Sequence, residues 1–366
     1  MNLIEQGKFY KTKILIDINA NVYFDTIFKY ENKKIQIIKR AKKVIELTNS
    51  IVFPSFVNAH THLELTNIDK KKLNFISFID WILSLIIEKK KKNLEFFLNS
   101  YKLGKKILNN FFTYTFGNIL SKDLFSFIEE KDFCYNFVEI IEYNEENIEY
   151  VNLNYPKISI HSFFTVHPKL IEKILGQNLP ISMHFFESKE EFDYLIYGTG
   201  PIVEKLYKFT NLTPLKYKPD YFKKFLLEGR NIQLVHLSNL PDFLKPLILK
   251  KKSSIFYTLC PRSNSKFGFK SPYRFFIKNK LPFSLGTDSL CSNDDLNVVN
   301  EAIFILEDMK DDIDVEILSK LLFLALTKWG YETIFVKKVY YCFKENIPFS
   351  KKDFSFYNFL KLFSTI

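Results

Sequence analysis

Residues 51–62 read IVFPSFVNAHTH, an apolar run that ends in two histidines separated by one residue. On an extended strand, residues i and i+2 project to the same side, so His60 and His62 can direct both imidazoles at one metal ion. With 6 histidines in 366 residues, such a pair arises by chance roughly 0.1 times. The pair therefore indicates a metal site at a strand end, provided that its sequence context supports one.

That context is a series of short β-branched or aromatic runs separated by longer helical stretches, the pattern of a parallel sheet with crossover helices. There are eight such runs: Ile51 to Ala59, Phe112 to Asn118, Tyr135 to Ile141, Lys157 to His161, Ile181 to Phe186, Ile232 to Leu237, Ser254 to Leu259 and Pro282 to Gly286. Eight strands match a closed (β/α)₈ barrel of the TIM type. We therefore predict an α/β fold with this barrel over residues 51–330.

The two ends of the chain are predicted to form a smaller unit. Residues 1–50 alternate short β-rich runs, such as Lys13 to Ile18 and Ile35 to Ile38, with polar turns. The tail over residues 331–366 is short, aromatic and rich in lysine. We expect it to pack with the N-terminal β segment in a small additional β-sandwich-like domain.

Composition excludes several classes of protein. Hydrophobic residues make up 47% and aromatic residues 17% of the chain, which predicts a globular core and not a disordered protein. The net charge is +11, but it comes from scattered lysines and from runs such as Lys89 to Lys92 that are typical of solvated helix ends. Because no basic face is interleaved with aromatic residues, we expect no nucleic-acid partner.

Cysteine usage and hydropathy predict a cytoplasmic protein. The four cysteines, which lack a C-x-x-C pair, read as reduced thiols: Cys134, Cys260, Cys291 and Cys342. Met1 to Lys11 has no apolar stretch that could serve as a signal peptide. The most apolar segment, Phe75 to Ile87, contains Asp80 and is shorter than the roughly 20 residues of a spanning helix. Its apolar positions follow helical spacing, so we expect a buried helix and no membrane partner.

Residues capable of metal or proton chemistry fall at the predicted strand ends. They are His60, His62, His161, His184, Glu187, His236 and Asp288. The carboxyl ends of barrel strands converge on one mouth, where this fold builds its active sites. Imidazole and carboxylate ligands suit Zn²⁺ or Fe²⁺. Glu187 follows His184 by three residues, so its carboxylate could move protons above the metal; the alternative is an exposed acid beside Glu190 and Glu191.

Five motifs in order carry a family resemblance. The first, FPSFVNAHTH at 53–62, resembles the opening metal motif of the amidohydrolase superfamily, in its deaminase and chlorohydrolase branch. The others are HFFES at 184–188, VHLS at 235–238, CPRSN at 260–264 and LGTDS at 285–289. Together they cover about residues 52–300.

The resemblance implies roles for individual residues. The metal ligands would be His60, His62, His184 and Asp288; the catalytic residues Glu187, His236 and Asp288; the substrate contacts Glu64, His161, Glu187, Arg262 and Asn264. The carbamylated lysine of binuclear relatives has no counterpart at the end of strand four, where His161 stands. This implies one divalent metal ion per subunit, Zn²⁺ in the first place and Fe²⁺ as the alternative. Arg262 could equally be a surface salt-bridge partner.

The resemblance also implies a reaction, the hydrolytic deamination of a 6-aminopurine nucleoside derivative. The segments NAHTHLEL at 58–65 and GTDSLCSNDDLN at 286–297 are most similar to the sequences of enzymes that convert aminodeoxyfutalosine to futalosine on a route to menaquinone. The alternatives are methylthioadenosine, adenosylhomocysteine or guanine as substrate, and cleavage of a C–N or C–Cl bond in a non-nucleoside. A non-catalytic metal-binding or nucleic-acid-binding protein is the remaining alternative. The family resemblance further implies a homodimer.

Overall fold

The structure, a computed structural model, describes residues 2–32, 34–129, 132, 135–250 and 254–364. Within these residues, thirteen strands form two sheets. The strands are β1 Phe9–Ile16, β2 Val22–Glu31, β3 Lys34–Ile38, β4 Ile45–Pro54, β5 Val57–Thr61, β6 Thr115–Ser121, β7 Asn136–Ile140, β8 Ile158–Ile160, β9 Ile181–Phe185, β10 Ile232–His236, β11 Ile255–Leu259, β12 Ser284–Leu285 and β13 Tyr341–Lys344.

The larger sheet contains β5 to β12 in sequence order, and all its neighbours pair in parallel. An isolated parallel bridge between Thr61 and Asp288 joins the end of the eighth strand to the first. The backbone N–H of Asp288 donates to the carbonyl of His60 at 3.0 Å across the same seam. The predicted (β/α)₈ barrel is therefore confirmed.

The helices connect successive strands and follow the last one. They are α1 Phe78–Lys90, α2 Leu94–Asn110, α3 Lys122–Phe125, α4 Pro168–Leu175, α5 Lys189–Tyr197, α6 Lys208–Thr210, α7 Pro219–Glu228, α8 Lys245–Leu249, α9 Pro261–Lys266, α10 Tyr273–Lys278, α11 Val298–Met309, α12 Val315–Leu326, α13 Lys328–Thr333 and α14 Phe356–Ser364. A 3₁₀ turn, Glu145–Tyr150, connects β7 to β8. None of the described helices is long and apolar enough to cross a membrane.

The predicted first barrel strand, Ile51 to Ala59, is wrong because this run belongs to two sheets. Ile51 and its neighbours end β4, which pairs with β13 of the C-terminal tail. The barrel strand begins only at Val57, after Ser55 has donated its N–H to the carbonyl of Tyr340. Both halves of the run are fully buried, so apolar content alone could not separate them.

The smaller sheet is built from both ends of the chain, as predicted. Its strand order is β13-β4-β1-β2-β3, with β1 antiparallel to β2 and parallel to β4. Helix α14 of the same tail packs against the end of β4. The rings of Phe359 and Phe363 lie 5.2 and 4.8 Å from the ring of Phe53. The tail thus holds the small sheet against the barrel.

The helix expected over Phe75 to Ile87 begins and ends three residues later, as α1. Ser77 caps it, since its hydroxyl accepts from the N–H of Asp80 at 3.1 Å, as an N-cap serine does. Phe78, Ile79 and Trp81 are buried, whereas Ile87 is exposed. The expected helix is therefore present, and it buries one face and leaves the other partly exposed. The described cysteines are free and buried thiols; Cys134 lies outside the described residues.

Candidate metal centre and active site

The predicted metal ligands meet at the carboxyl end of the barrel. The Nε2 atom of His62 lies 3.3 Å from Nε2 of His184 and 3.5 Å from Oδ1 of Asp288. Nε2 of His60 lies 3.7 Å from the same carboxylate oxygen. Two ligand atoms that each stand about 2.1 Å from a tetrahedral ion are about 3.4 Å apart. The spacing therefore fits one divalent cation.

His60 gives the clearest evidence that the cluster needs a cation. Its side chain is fully buried, and neither ring nitrogen has a hydrogen-bond partner among the described residues. Leaving a buried polar atom unpaired costs about 1–3 kcal/mol. A metal ion bound to one nitrogen of His60 would remove the penalty for that atom, so the donor set fits the divalent metal that the sequence predicts.

The environments of His62 and His184 favour neutral imidazole rings, which can bind a metal ion. The Nδ1–H of His184 donates to the carbonyl of His161 at 2.8 Å, which leaves the lone pair of Nε2 free to face the cluster. Burial lowers the pKa of both His62 and His184 well below the usual value. The imidazoles are therefore unprotonated near neutral pH, as metal binding requires.

Asp288 is held so that one oxygen remains for the metal. Its Oδ2 accepts hydrogen bonds from the hydroxyls of Ser263 at 2.8 Å and Ser292 at 2.5 Å. Its Oδ1 is the atom that faces the histidines. Burial alone would raise the pKa of Asp288, but the imidazoles of His60, His62 and His236 outweigh burial and lower it. The carboxylate is therefore ionised at neutral pH.

Two further residues, Glu187 and His236, complete the reactive group. Glu187 Oε1 lies 3.5 Å from Nε2 of His236. Asn264 donates to Nδ1 of His236 at 3.2 Å, so Nε2 carries the hydrogen, and burial lowers the pKa of His236 to about 3. Burial, followed by the charge of Asp288, raises the pKa of Glu187 well above its usual value. This shift favours the proton-carrying form of Glu187, the form that a general acid needs.

The backbone around these residues is strained. His236 and Asp288 have φ of 73° and 58°, a left-handed conformation that is uncommon outside glycine. Strain of this kind persists only where surrounding contacts impose it, and it is concentrated at functional sites. Here the hydroxyl of Thr61 donates to the carbonyl of Asp288 at 2.9 Å, and Asn58 donates to the hydroxyl of Thr287 at 2.7 Å. These bonds tie the first strand to the turn after the eighth.

A cavity of about 390 Å³ opens above the cluster. Its polar lining includes His62, His184, Glu187 and Asp288. Apolar side chains form most of the remaining wall: Leu65, Phe78, Trp81, Ile82, Leu85, Ile86, Phe164, Leu206 and Leu212. Helix α1 therefore supplies one side of the cavity, directly above the metal ligands. A volume of this size suits a small-molecule substrate.

Two predicted substrate contacts lie in or beside this cavity. His161 lines it and bonds through Nδ1 to the hydroxyl of Thr165 at 2.8 Å, while burial lowers the pKa of His161 to about 4. Glu64 instead lines an adjoining cavity of about 800 Å³. Its carboxylate accepts from Lys89 Nζ at 3.2 Å and from the N–H of Ser121 at 2.8 Å.

The structure does not bring Arg262 and Asn264 to the lining of the metal cavity. Both guanidinium NH₂ groups of Arg262 bond to Asp295, at 3.0 and 2.9 Å, and its backbone N–H donates to Glu301 at 2.9 Å. The alternative of a salt-bridge partner therefore describes Arg262 better than a substrate contact. Asn264 is buried and orients His236, so its influence on substrate is indirect.

Sequence reasoning missed two residues that line the cavity, Lys89 and Glu139. Lys89 was assigned to a solvated lysine run, but its side chain is only 34% exposed and turns toward Glu64. Glu139 was not considered, although it is the single charged residue in the buried strand β7. A carboxylate near the carboxyl end of a barrel strand is the signal that could have identified it.

Among curated proteins, the chain is similar to several deaminases, whereas no family model matches it. It is 25% identical over 340 residues to the aminodeoxyfutalosine deaminase of Nitratiruptor sp., covering 83% of this chain and 81% of that protein. It is 23% identical over 306 residues to the 5-methylthioadenosine/S-adenosylhomocysteine deaminase of Pyrococcus horikoshii, covering 73% and 66%. It is 25% identical over 303 residues to the 5'-deoxyadenosine deaminase of Methanococcus aeolicus, covering 74% and 65%.

Solved structures share the fold. The aminofutalosine deaminase of Helicobacter pylori in complex with methylthio-coformycin superposes with a TM-score of 0.77 at 18% identity, covering 97% of this chain and 95% of that one. A zinc-bound adenosine deaminase of Xanthomonas campestris gives 0.69 at 17% identity, covering 90% and 80%. These likenesses support the barrel and the added terminal sheet.

Proposed function

We propose that this chain, an amidohydrolase-type hydrolase of C–N bonds in the deaminase branch of that superfamily, deaminates a 6-aminopurine nucleoside derivative. 6-Amino-6-deoxyfutalosine is the first candidate substrate, and methylthioadenosine and adenosylhomocysteine are the next. The observation that carries the proposal is the convergence of His60, His62, His184 and Asp288 at single-ion spacing, beside the carboxyl group of Glu187 and beneath a nucleoside-sized cavity.

The four ligands would hold one divalent cation, Zn²⁺ in the first place, with Fe²⁺ also suited to imidazole and carboxylate. When bound, such an ion lowers the pKa of a coordinated water toward about 7 and so supplies a nucleophile at neutral pH. Asp288 and the Nε2–H of His236 orient that water toward C6 of the purine. The hydroxyls that occupy Oδ2 of Asp288 keep its other oxygen directed at the site.

Glu187 moves the protons of the reaction. It donates its proton to ring nitrogen N1 as the oxygen of water adds to C6, which relieves the charge that develops on the ring. The proton that water gives up is transferred to the 6-amino group, and the C6–N6 bond breaks to release ammonia. The remaining proton, on the new C6 hydroxyl, returns to Glu187 as the C6 carbonyl forms. The products are the 6-oxopurine nucleoside and ammonia, so atoms balance with water as the only co-substrate. The 3.5 Å separation of Glu187 Oε1 and His236 Nε2 supports these neighbouring roles.

The cavity favours a nucleoside that carries an apolar group. Its wall beyond the metal ligands is formed largely by α1, including Trp81, Leu85 and Ile86, and burying an apolar substituent there stabilises binding by about 25 cal/mol for each Å² removed from water. Methylthioadenosine carries such a group at the 5′ position, and aminodeoxyfutalosine carries there a chain that ends in a benzoate ring, whose faces are apolar. The named relatives are deaminases of nucleosides, which supports a nucleoside substrate here.

The test is turnover of a substrate panel by metal-replete protein. Aminodeoxyfutalosine, methylthioadenosine, adenosylhomocysteine and guanine are incubated separately, and ammonia release is measured together with the absorbance change from aminopurine to oxopurine. We expect the first compound to give the highest kcat/KM and chelator-treated protein to give none. Absence of turnover with every nucleoside, in protein shown to contain metal, would refute the nucleoside assignment.

A further inference from the structure

The carboxylate of Glu139 stands in the metal cavity without a role in the chemistry above. It projects from β7, the third barrel strand, and one of its oxygens lies within 4.8 Å of a ring nitrogen of His161 and of one of His184. Among the described residues, its Oε1 is buried without a hydrogen-bond partner. A buried acceptor left unpaired is costly, so this atom calls for a donor that enters the cavity.

The protein's own cation does not meet that need. Lys89 lines the same cavity, but its ammonium pairs with Glu64, 3.2 Å away. Burial raises the pKa of Glu139 to about 7, while the charge of Lys89 acts to lower it. The charge of Lys89 thus favours the ionised form of Glu139. Because the ammonium bonds to Glu64, the Oε1 atom of Glu139 remains free to accept a hydrogen bond from a ligand.

A second metal ion does not meet it either. Glu139, His161 and His184 form a group of possible ligands, but His184 has only one nitrogen to offer. Its Nδ1–H is used in the bond to the carbonyl of His161, and its Nε2 belongs to the cluster with His62. A carboxylate and one imidazole remain, which is too few ligands for a closed zinc site.

The remaining donors are those of the substrate. A 6-aminopurine nucleoside offers N–H groups on the amino nitrogen and O–H groups on the sugar. The groups that act on the amino end follow strands five, six and eight, whereas Glu139 lies on strand three. Glu139 also lines both the metal cavity and the adjoining cavity, so a substrate that extends from the first into the second passes its carboxylate. We propose that Glu139 is a positioning residue that accepts hydrogen bonds from the sugar hydroxyls of the nucleoside.

This inference rests on the proposed deaminase function and names the part of the substrate that Glu139 recognises. A charge-assisted hydrogen bond to a substrate hydroxyl contributes roughly 10- to 100-fold in kcat/KM. The matched control is Glu142, which lines the same two cavities. Its oxygens already accept from the N–H of Asn144 at 2.9 Å and from Asn147 at 3.1 Å.

The experiment compares two nucleosides on three proteins. The nucleosides are the best ribosyl substrate of the panel and its 2′,3′-dideoxy form; the proteins are wild type, Glu139→Gln and Glu142→Gln. We expect wild type to prefer the ribosyl compound by roughly 10- to 100-fold, Glu139→Gln to lose that preference by slowing on the ribosyl compound alone, and Glu142→Gln to keep it. Zinc content should remain one ion per chain in all three.

Each contrary outcome has a distinct meaning. If wild type does not distinguish the two nucleosides, or if Glu139→Gln slows both equally, Glu139 does not bind the sugar. If Glu139→Gln lowers the zinc stoichiometry, Glu139 is a metal ligand and the inference is wrong. Should Glu139→Gln fail to fold, Glu139→Asp retains the charge and must show a reduced but present ribosyl preference. No deamination of any nucleoside would overturn the proposed function and this inference together.

Discussion

Gly286 lies against the backbone of His60, a proposed metal ligand, and its replacement by alanine provides a quantitative test of the site. A Cβ atom at this position would stand 2.7 Å from Cβ, 2.8 Å from the carbonyl oxygen and 2.9 Å from the nitrogen of His60. Favourable contacts between such atoms need about 3.5 Å or more. Two of the three atoms belong to the backbone, so a change of rotamer cannot relieve the clash, and His60 or the eighth strand must move.

The cost follows from this geometry. Overpacking a well-packed core by one methyl group costs about 1–3 kcal/mol, and three contacts with little freedom place Gly286→Ala near the upper end. An unfolding entropy of about 2.1 cal/mol/K per residue gives about 0.8 kcal/mol/K for a chain of this length, so Tm should fall by about 3–4 °C. Displacing His60 should weaken zinc binding by roughly 10- to 100-fold, the range for disturbed ligand orientation.

The assays are calorimetric unfolding and competition for zinc with a chelator of known affinity. Gly176→Ala is the matched control, because an added Cβ there meets only carbonyl oxygens at 3.5 and 3.6 Å, in ordinary van der Waals contact. That variant should keep its zinc affinity and change Tm by less than about 1 °C. If Gly286→Ala matches the control in both measurements, Gly286 does not support His60 and the packing argument is wrong.

Three further predictions concern protonation and support of the ligands. Glu187→Gln should lower kcat by roughly 10²- to 10⁴-fold with unchanged zinc content; activity near wild type would exclude it as the acid. Ser292→Ala removes a hydroxyl 2.5 Å from Oδ2 of Asp288 and should weaken zinc binding by roughly 10-fold, whereas the exposed Ser265→Ala should not. Burial raises the pKa of Glu191 to about 8, so its folded form retains a proton that the unfolded chain loses near pH 4.5. Wild type should therefore lose stability relative to Glu191→Gln as pH rises from about 5 to 8, by up to about 1.4 kcal/mol per pH unit; parallel urea-unfolding curves at both pH values would contradict this.

The barrel and the ligand cluster were predictable because their signals are local. Each reactive residue follows a short apolar run, and a parallel barrel places the ends of all such runs at one mouth. His60 and His62 needed only the two-residue repeat of a strand. The structure places each of the four candidate ligands within 3.3 to 3.7 Å of at least one other, although long stretches of chain separate them.

Other features depended on partners distant in sequence. The sequence from Ile51 to Ala59 does not show that the run is split between two strands of different sheets. The pairing of β4 with β13 decides where the first of these strands ends. Arg262 reads equally well as a substrate contact or a salt-bridge partner until Asp295 is found beside it.

The sequence by itself determined the fold class, the ligand types and their order along the chain, because strand periodicity and apolar runs are properties of neighbouring residues. Only the tertiary structure decided which side chains share the cavity. Lys89 resembles any solvated lysine and Glu139 any strand residue until α1 and β7 pack around one space. Burial and electrostatic environment arise from long-range packing, and they turn an ordinary charged residue into part of a site.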